Sequence, residues 1–150
     1  MVDWDKLRHF KKHEFVGPQK MKESFLLRLD GFRDHIKSPI FTSYSTNGTH
    51  SENSQHYKGL ATDNLFPKWE GSLFGLYLMA EQFNFTGIGV YPDWEYDGKV
   101  IGGLHLDSRK LHNYRGARWI GVKKLQKNGK IELEYHGLTA KNLKKYKIIT

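Results

Sequence analysis

Cysteine is absent from this chain of 150 residues. Without thiols, neither a disulfide framework nor a thiolate metal site can form, so any metal site must use histidine, aspartate or glutamate. The chain also has no apolar run of about 18 residues, which predicts that no segment spans a membrane as a helix. Residues 1–15, MVDWDKLRHFKKHEF, mix acids with bases and have no apolar core, so we expect no secretory signal there.

Acidic residues are fewer than basic ones. The chain has 24 Lys and Arg against 16 Asp and Glu, a formal charge of +8. The basic residues are spread along the chain, with a denser stretch, KNLKKYK, at residues 141–147. This balance favours anionic partners such as nucleic acid, phospholipid or a cell-wall polymer. No recognised nucleic-acid motif accompanies the charge, so we do not predict a nucleic-acid partner.

Apolar spacing predicts two helices within a single domain of residues 1–150. The first helix is indicated by apolar residues at intervals of three and four between residues 19 and 36: Met21, Phe25, Leu29, Phe32 and Ile36. It should end near Ser38, because the residue before a proline leaves the helical region. The second is predicted from Leu73 to Phe83, with Ser72 as its N-cap.

The remaining segments predict strands and turns. Residues 39–44, PIFTSY, are typical of a short strand, and residues 45–55 of a polar loop. Two pairs of β-prone segments flank turn sequences, one around Asp97-Gly98 and one around residues 126–129, so each pair predicts a hairpin. The order of elements predicts an α+β fold with a mostly antiparallel sheet and helices packed on it.

One candidate binding segment is SQHYKGLATD, at residues 54–63. It contains His56 and Asp63, seven residues apart. Gly59 and Ala61 lie between them and favour a turn followed by a strand over a helix. Ala61 is small enough to leave room beside Asp63 on the same face of that strand. The segment therefore offers one imidazole and one carboxylate.

A second candidate comes from the apolar strand GLHLD, at residues 103–107. Strand alternation places His105 and Asp107 on one face, where they need polar partners. His56, Asp63 and His105 together suit zinc with a fourth position open, although a buried polar cluster without metal is the alternative interpretation. Of the other histidines, we expect three in charged stretches to be exposed: His9, His13 and His112.

These motifs resemble the zinc D-Ala-D-Ala carboxypeptidase family, most closely its small phage and bacterial branch with peptidoglycan-peptidase activity. The resemblance rests on Ser54-x-His56-x-x-Gly59-x-Ala61-x-Asp63, on GIGVY at residues 87–91 and on HLDSR at residues 105–109. Similar segments extend it over about residues 8–120: LRHFKKHEF at 7–15, LLRLDGFRDHIKSPIFTSY at 26–44 and RGARW at 115–119.

The resemblance implies that His56, Asp63 and His105 bind Zn²⁺, and that the fold is of the hedgehog/D-Ala-D-Ala peptidase type. It implies hydrolysis of peptide bonds in the peptidoglycan stem or cross-bridge, often next to D-Ala. Zinc would polarise the scissile carbonyl and lower the pKa of its water toward ~7. The implied partner is anionic peptidoglycan and the implied site of action is the bacterial cell wall, as for a phage lysin or a virion-associated lysis protein.

Three positions depart from the family pattern. Many members have an acid three residues before the last histidine, or a histidine two residues before it, where this chain has Gly102 and Gly103. Ser45 occupies the position at which many members have an arginine that can hold a substrate carboxylate. These departures favour a second hypothesis, in which the chain is a catalytically inactive zinc-binding interaction module or virion structural module.

Other residues are candidates for the missing roles. Asp107 is the first candidate for the general base because it shares a strand face with His105, and Asp93 and Glu95 are alternatives. Asp107 could instead orient His105 or bind an arginine, as carboxylates next to metal ligands often do. Arg109 and Arg118 are candidates for anchoring a substrate carboxylate; the alternative interpretation is that either is simply paired at the surface.

Overall fold

A computed structural model describes residues 1–111 and 116–150, so His112 and its predicted exposure lie outside the described residues. The elements in chain order are α1 (Glu23–Ile36), β1 (Phe41–Tyr44), β2 (Ala61–Leu65), α2 (Leu73–Glu81), β3 (Gly87–Tyr91), β4 (Glu95–Tyr96), β5 (Lys99–Val100), β6 (Gly103–Asp107), β7 (Ala117–Leu125), β8 (Ile131–Gly137) and α3 (Ala140–Lys145). Within this part of the chain, no helix has the length and apolar character needed to cross a membrane.

The main sheet has six strands in the order β1-β2-β6-β3-β7-β8. The α+β class is confirmed, but the sheet is mixed rather than mostly antiparallel, because β3 and β7 run parallel. Both edges of β6 are occupied, one by β2 and one by β3. The next long strand, β7, therefore pairs on the far edge of β3, where its direction matches that of β3.

Both predicted hairpin turns are confirmed. Asp97 and Gly98 have positive φ angles of 49° and 73° between the short strands β4 and β5, and the longer strands β3 and β6 on either side pair antiparallel. Gly129, with φ of 78°, lies in the turn between the antiparallel strands β7 and β8. The predicted strand at residues 39–44 is present as β1.

Helix α1 buries the predicted apolar stripe against the sheet. Met21 precedes the helix, and the other four stripe residues lie within it; all five are at most 6% exposed. Asp30 of α1 is also buried, and its carboxylate accepts hydrogen bonds from the backbone N–H groups of Arg8, His9 and Phe10 at 2.9, 2.9 and 3.2 Å. This carboxylate ties the N-terminal segment to the helix.

Helix α2 begins as predicted, because the Ser72 hydroxyl accepts a hydrogen bond from the N–H of Gly75 at 3.0 Å. Together, α1 and α2 cover one face of the sheet. Alternating strand residues point into this apolar core and are fully buried: Ile88 and Val90 of β3, Leu104 and Leu106 of β6, and Ile120 of β7. The residues between them point to the opposite face of the sheet, which is where the candidate ligands lie.

Candidate metal centre

Two candidate ligands lie side by side on the central strands. Asp63 of β2 pairs directly with His105 of β6, so both side chains project from the face of the sheet opposite the helices. His56 reaches them from the loop that precedes β2. The three ligand atoms are close together: His105 Nδ1 is 2.8 Å from Asp63 Oδ1, and His56 Nε2 is 3.2 Å from His105 Nδ1 and 3.3 Å from Asp63 Oδ1. This buried group could hold a metal ion.

The loop that carries His56 is held in place by hydrogen bonds. Gly59 adopts φ of 68°, and a Cβ there would lie 1.9 Å from the carbonyl oxygen of Lys20, so glycine is needed for the turn into β2. The His56 Nδ1–H donates to the carbonyl of Ser45 at 2.6 Å, which directs Nε2 at the other two candidate ligands. The Ser45 hydroxyl in turn bonds the backbone of Val16.

The second nitrogen of His105 is held by a carboxylate. His105 Nε2 lies 2.9 Å from Asp107 Oδ2, and Arg109 binds Asp107 through its backbone N–H and its guanidinium. The guanidinium lies over the ring of Trp119 at 5.0 Å. Asp107 is fully buried and lies on the other side of the imidazole from the remaining ligands. This chain of contacts leaves Nδ1 of His105 as the atom available to a metal.

The contacts among these side chains shift the pKa values of His105, Asp63 and Asp107. Burial alone would lower the pKa of His105, but hydrogen bonds to Asp107 and Asp63 outweigh it and raise this pKa to about 9. Burial alone would raise the pKa of both carboxyls. Hydrogen bonds from His105 and His56 nevertheless keep the pKa of Asp63 well below its ordinary value. Hydrogen bonds from His105 and Arg109 do the same for the pKa of Asp107. At neutral pH a metal ion must therefore displace a proton from His105.

Glycines keep this face of the sheet open. A Cβ at Gly87 would lie 2.2 Å from the Asp107 carboxylate, one at Gly89 would lie 2.5 Å from the Trp119 ring, and one at Gly121 would lie 2.2 Å from the Tyr91 ring. Any larger residue at these three positions would displace a carboxylate or an aromatic ring beside the candidate ligands. The Gly-x-Gly-x-Tyr sequence of β3 thus has a packing reason of its own.

A cleft of about 1070 Å³ opens above the candidate ligands. One wall is formed by the loop from Tyr44 to His56, and the other by side chains of β7, β8 and the segment after β3. His50 stacks on His56 with ring centroids 4.0 Å apart, and burial together with the neighbouring His56 lowers the pKa of His50. The opposite wall is largely aromatic: Tyr91, Trp94, Trp119 and Tyr135. A cleft of this size can accept a small ligand or a segment of a polymer beside the ligands.

No protein-family model, curated protein or solved structure matches this chain. The likeness to the zinc D-Ala-D-Ala carboxypeptidase family therefore stands on the motif residues alone.

The structure explains why two of the three positions that depart from the family pattern are glycines. Gly102 has φ of 71°, and a Cβ there would lie 2.8 Å from the Leu73 side chain. At Gly103 a Cβ would lie 2.5 Å from the Trp94 ring. The Trp94 indole therefore occupies the space that an acid–base side chain would need at residue 103.

The structure separates the other predicted site residues. Arg109 lines the cleft, as does Glu95, whose carboxylate lies 3.1 Å from the Lys123 ammonium. Asp107 lies behind His105 instead, where it fits the orienting alternative. Asp93 accepts a hydrogen bond from the backbone N–H of Lys123.

Arg118 is a poor candidate for the anchor. It lies on the helix-covered face of the sheet, where Nε and Nη2 bind the two carboxylate oxygens of Glu81 at 2.6 and 2.8 Å. This pairing fits the alternative in which Arg118 forms an ion pair, and Arg118 is not among the described residues that line the cleft. Sequence reasoning also missed His50 and Trp94, since neither lies in a motif; their positions depend on how two separate segments fold back over the ligands.

Proposed function

We propose that this chain is a zinc-dependent peptidase that hydrolyses peptide bonds of peptidoglycan at the bacterial cell wall. The observation that carries the proposal is the buried group of His56, Asp63 and His105 at the floor of an open cleft. A group that served only to stabilise the fold would not need an open cleft above it. The net positive charge supports attraction to an anionic wall. The family resemblance supplies the choice of substrate, including bonds next to D-Ala.

The ligand group fits zinc in its chemistry and spacing. Two imidazoles and one carboxylate are a common protein ligand set for catalytic zinc, with one position left for substrate or water. Bonds of about 2.1 Å in a tetrahedral arrangement would place the ligand atoms about 3.4 Å apart. Two of the three distances, at 3.2 and 3.3 Å, are close to this value, and the His105–Asp63 hydrogen bond of 2.8 Å needs only a small opening.

Zinc bound here would supply Lewis acidity toward a carbonyl oxygen and make a nearby water more acidic. The side chains of the protein would supply orientation and proton transfer. Ser45 and Asp107 fix the two imidazoles through their outer nitrogens. The aromatic wall of the cleft would exclude water from one side of a bound substrate. Hydrolysis would add the oxygen of water to the carbonyl carbon and a proton to the leaving nitrogen.

Glu95 is the proposed general base, because apart from Asp63 it is the only carboxylate among the described residues that line the cleft. It would accept the proton of water and pass it to the leaving amine. Asp107 would act through His105 as a positioning residue. Arg109 keeps the proposed anchoring role, since it lines the cleft while it binds Asp107. Glu95→Gln should lower hydrolysis by about 10²–10⁴ with metal content unchanged.

The test pairs metal analysis with mass spectrometry of purified peptidoglycan after incubation with the protein, with and without a chelator. We expect about one zinc per chain and new free amino groups that disappear with the chelator and return when zinc is added. Bound zinc without any cleavage product would reject the peptidase proposal. Cleavage that persists in the chelator and in His56→Ala would reject the metal centre as its source.

A catalytically inactive zinc-binding interaction or virion structural module is the second candidate. It is favoured by the pairing of Glu95 with Lys123 and by the burial of Ser45, whose hydroxyl is bound to Val16 rather than directed into the cleft. In that case the protein would bind peptidoglycan in a pull-down assay and release no new amino groups. Binding that is unchanged between the zinc-loaded and the chelated protein would limit the metal to a structural role.

A further inference from the structure

The net positive charge is concentrated at one end of the chain. Residues 116–150 contain nine Lys and Arg but only two acids, Glu132 and Glu134, so they carry +7 of the net charge of +8. The basic residues themselves are spread along the chain, but acids balance them elsewhere. In the structure these residues form the β7–β8 hairpin and α3. The hairpin and helix therefore form the strongly cationic part of the molecule.

The same hairpin exposes a row of apolar side chains. By strand alternation Leu125 of β7 and three residues of β8 lie on the face that carries the metal centre, and their exposures are high: Leu125 71%, Ile131 66%, Leu133 46% and Tyr135 60%. The reverse face is different, because Val122 and Leu143 of α3 pack there against the core. We call this row the hairpin platform.

The hairpin platform is continuous with the cleft. Leu133 and Tyr135 line the cleft wall, and so does Lys123, which is paired with Leu133 across the two strands. The platform then extends toward the hairpin turn, where Lys127 and Lys130 are exposed. An extended polymer that runs from the cleft along β7 and β8 would contact an apolar surface bordered by lysines.

We propose that the hairpin platform binds an extended anionic peptide whose other end occupies the cleft. Apolar side chains of the peptide would pack on Leu133 and Ile131, and its carboxylates would lie near Lys127 and Lys130. The choice of a peptide rests on the proposed function; the location of the surface rests on charge and continuity. If the platform were inserted into a membrane, the mouth of the cleft would lie against lipid. A peptide that contacts both the cleft and the hairpin platform is therefore a better fit than a membrane.

The probe is a short fluorescein-labelled peptide of alternating alanine and glutamate, added to the full-length protein in chelator so that hydrolysis does not interfere. We expect binding by fluorescence anisotropy that weakens about tenfold in the double variant Ile131→Ser/Leu133→Ser. The matched control is Leu78→Ser, because Leu78 is 47% exposed on α2 at the opposite side of the sheet. A peptide of alternating alanine and lysine of equal length should bind far more weakly.

Charge is tested in parallel. Lys127→Gln/Lys130→Gln should weaken binding and reduce its dependence on salt, whereas Lys12→Gln/Lys68→Gln, at exposed positions elsewhere, should change binding little. Circular dichroism checks that each variant is folded, and the single variant Leu133→Ser replaces the double variant if that one unfolds. Equal affinity in wild type and folded platform variants would overturn the proposal.

Two further outcomes separate this inference from others. Platform substitutions that weaken binding to anionic vesicles or to DNA, while peptide binding stays unchanged, would assign the surface to a different partner and overturn it. If metal-loaded wild type cuts no peptidoglycan while platform-dependent peptide binding persists, the peptidase proposal fails and the docking surface stands. If cleavage occurs and peptide binding ignores the platform, only the docking surface fails.

Discussion

The two faces of the central strands carry different kinds of side chain. On β6, Leu104 and Leu106 point into the apolar core beneath the helices, while His105 and Asp107 point to the opposite face. The core on the helix-covered side consists of aliphatic and aromatic side chains, with the Arg118–Glu81 ion pair beside it. The other face combines polar ligands with glycines and aromatic rings and stays open. Because a strand directs successive residues to opposite sides, the same short segments can contribute to the core on one face and carry a candidate metal site on the other.

Phe32→Ala, on the helix-covered face, should have the largest effect of the substitutions that compare the two faces. Phe32 of α1 is fully buried and contacts the rings of Phe66, Phe83 and Phe85. Its removal leaves a cavity, so we expect the free energy of unfolding to fall by about 3–5 kcal/mol in a denaturant titration. Leu27→Ala, at an exposed position of the same helix, is the control. Loss of metal from a Phe32→Ala protein that is still folded would show that the two faces are coupled.

Next in size is the effect of His56→Ala on metal binding. Losing one of three protein ligands should weaken zinc affinity by more than about 100-fold, beyond the range found for residues that only support a ligand. Competition with a chromogenic chelator measures this affinity. His50→Ala is the matched control, since it removes the imidazole stacked on His56 but no ligand atom. Similar zinc affinity in the two variants would remove His56 from the ligand set.

Asp107→Asn should have a smaller effect on the same face. The amide in this variant cannot carry the negative charge that holds His105 Nε2–H, so we expect zinc affinity to fall about 10–100-fold. Hydrolysis measured at saturating zinc distinguishes the two roles considered for this residue. Activity that recovers when zinc is saturating indicates orientation of His105. Activity that stays about 10²–10⁴ lower with zinc bound would restore Asp107 as the general base.

The smallest expected effect belongs to the ion pair on the helix-covered face. Hydrogen bonds from Arg118 hold the pKa of Glu81 below its ordinary value of 4.5. A lowered pKa in the folded state stabilises the protein above pH 4.5, and this contribution is lost as the pH falls through the lowered value. Glu81→Gln should therefore destabilise by at most about 1 kcal/mol near neutral pH, and by less in acid.

Thermal unfolding of both proteins between neutral and acidic pH measures that difference. Glu70→Gln, at an exposed position, is the control. A gap between wild type and Glu81→Gln that widens in acid would contradict the sign of the shift.

Local patterns predicted most of the elements, and contacts between distant segments account for what was missed. The spacing of Phe25, Leu29 and Phe32 suffices for α1, because a helix face is a property of neighbouring residues. The parallel pairing of β3 with β7 could not be predicted, since it depends on both edges of β6 being occupied. A strand pattern identifies the face of a side chain but not what lies beside it.

The candidate site, too, could be predicted from the sequence only in part. Alternation placed His105 and Asp107 on one face, which the structure confirms, but it could not indicate that Asp107 lies behind the imidazole. The glycines at residues 102 and 103 looked like missing catalytic groups in the sequence. In the structure the space beside Gly103 is occupied by Trp94, which lies nine residues earlier in the chain and is brought there by the β4–β5 hairpin.

The position of β6 between two earlier strands also sets the order in which the molecule can assemble. β2 and β3 precede β6 in the chain, yet in the native sheet they contact each other only through β6. His56 and Asp63 therefore leave the ribosome well before their third partner, His105. A metal ion can be bound by all three residues only after β2 and β6 have paired. We therefore expect bound metal to slow unfolding much more than it speeds folding.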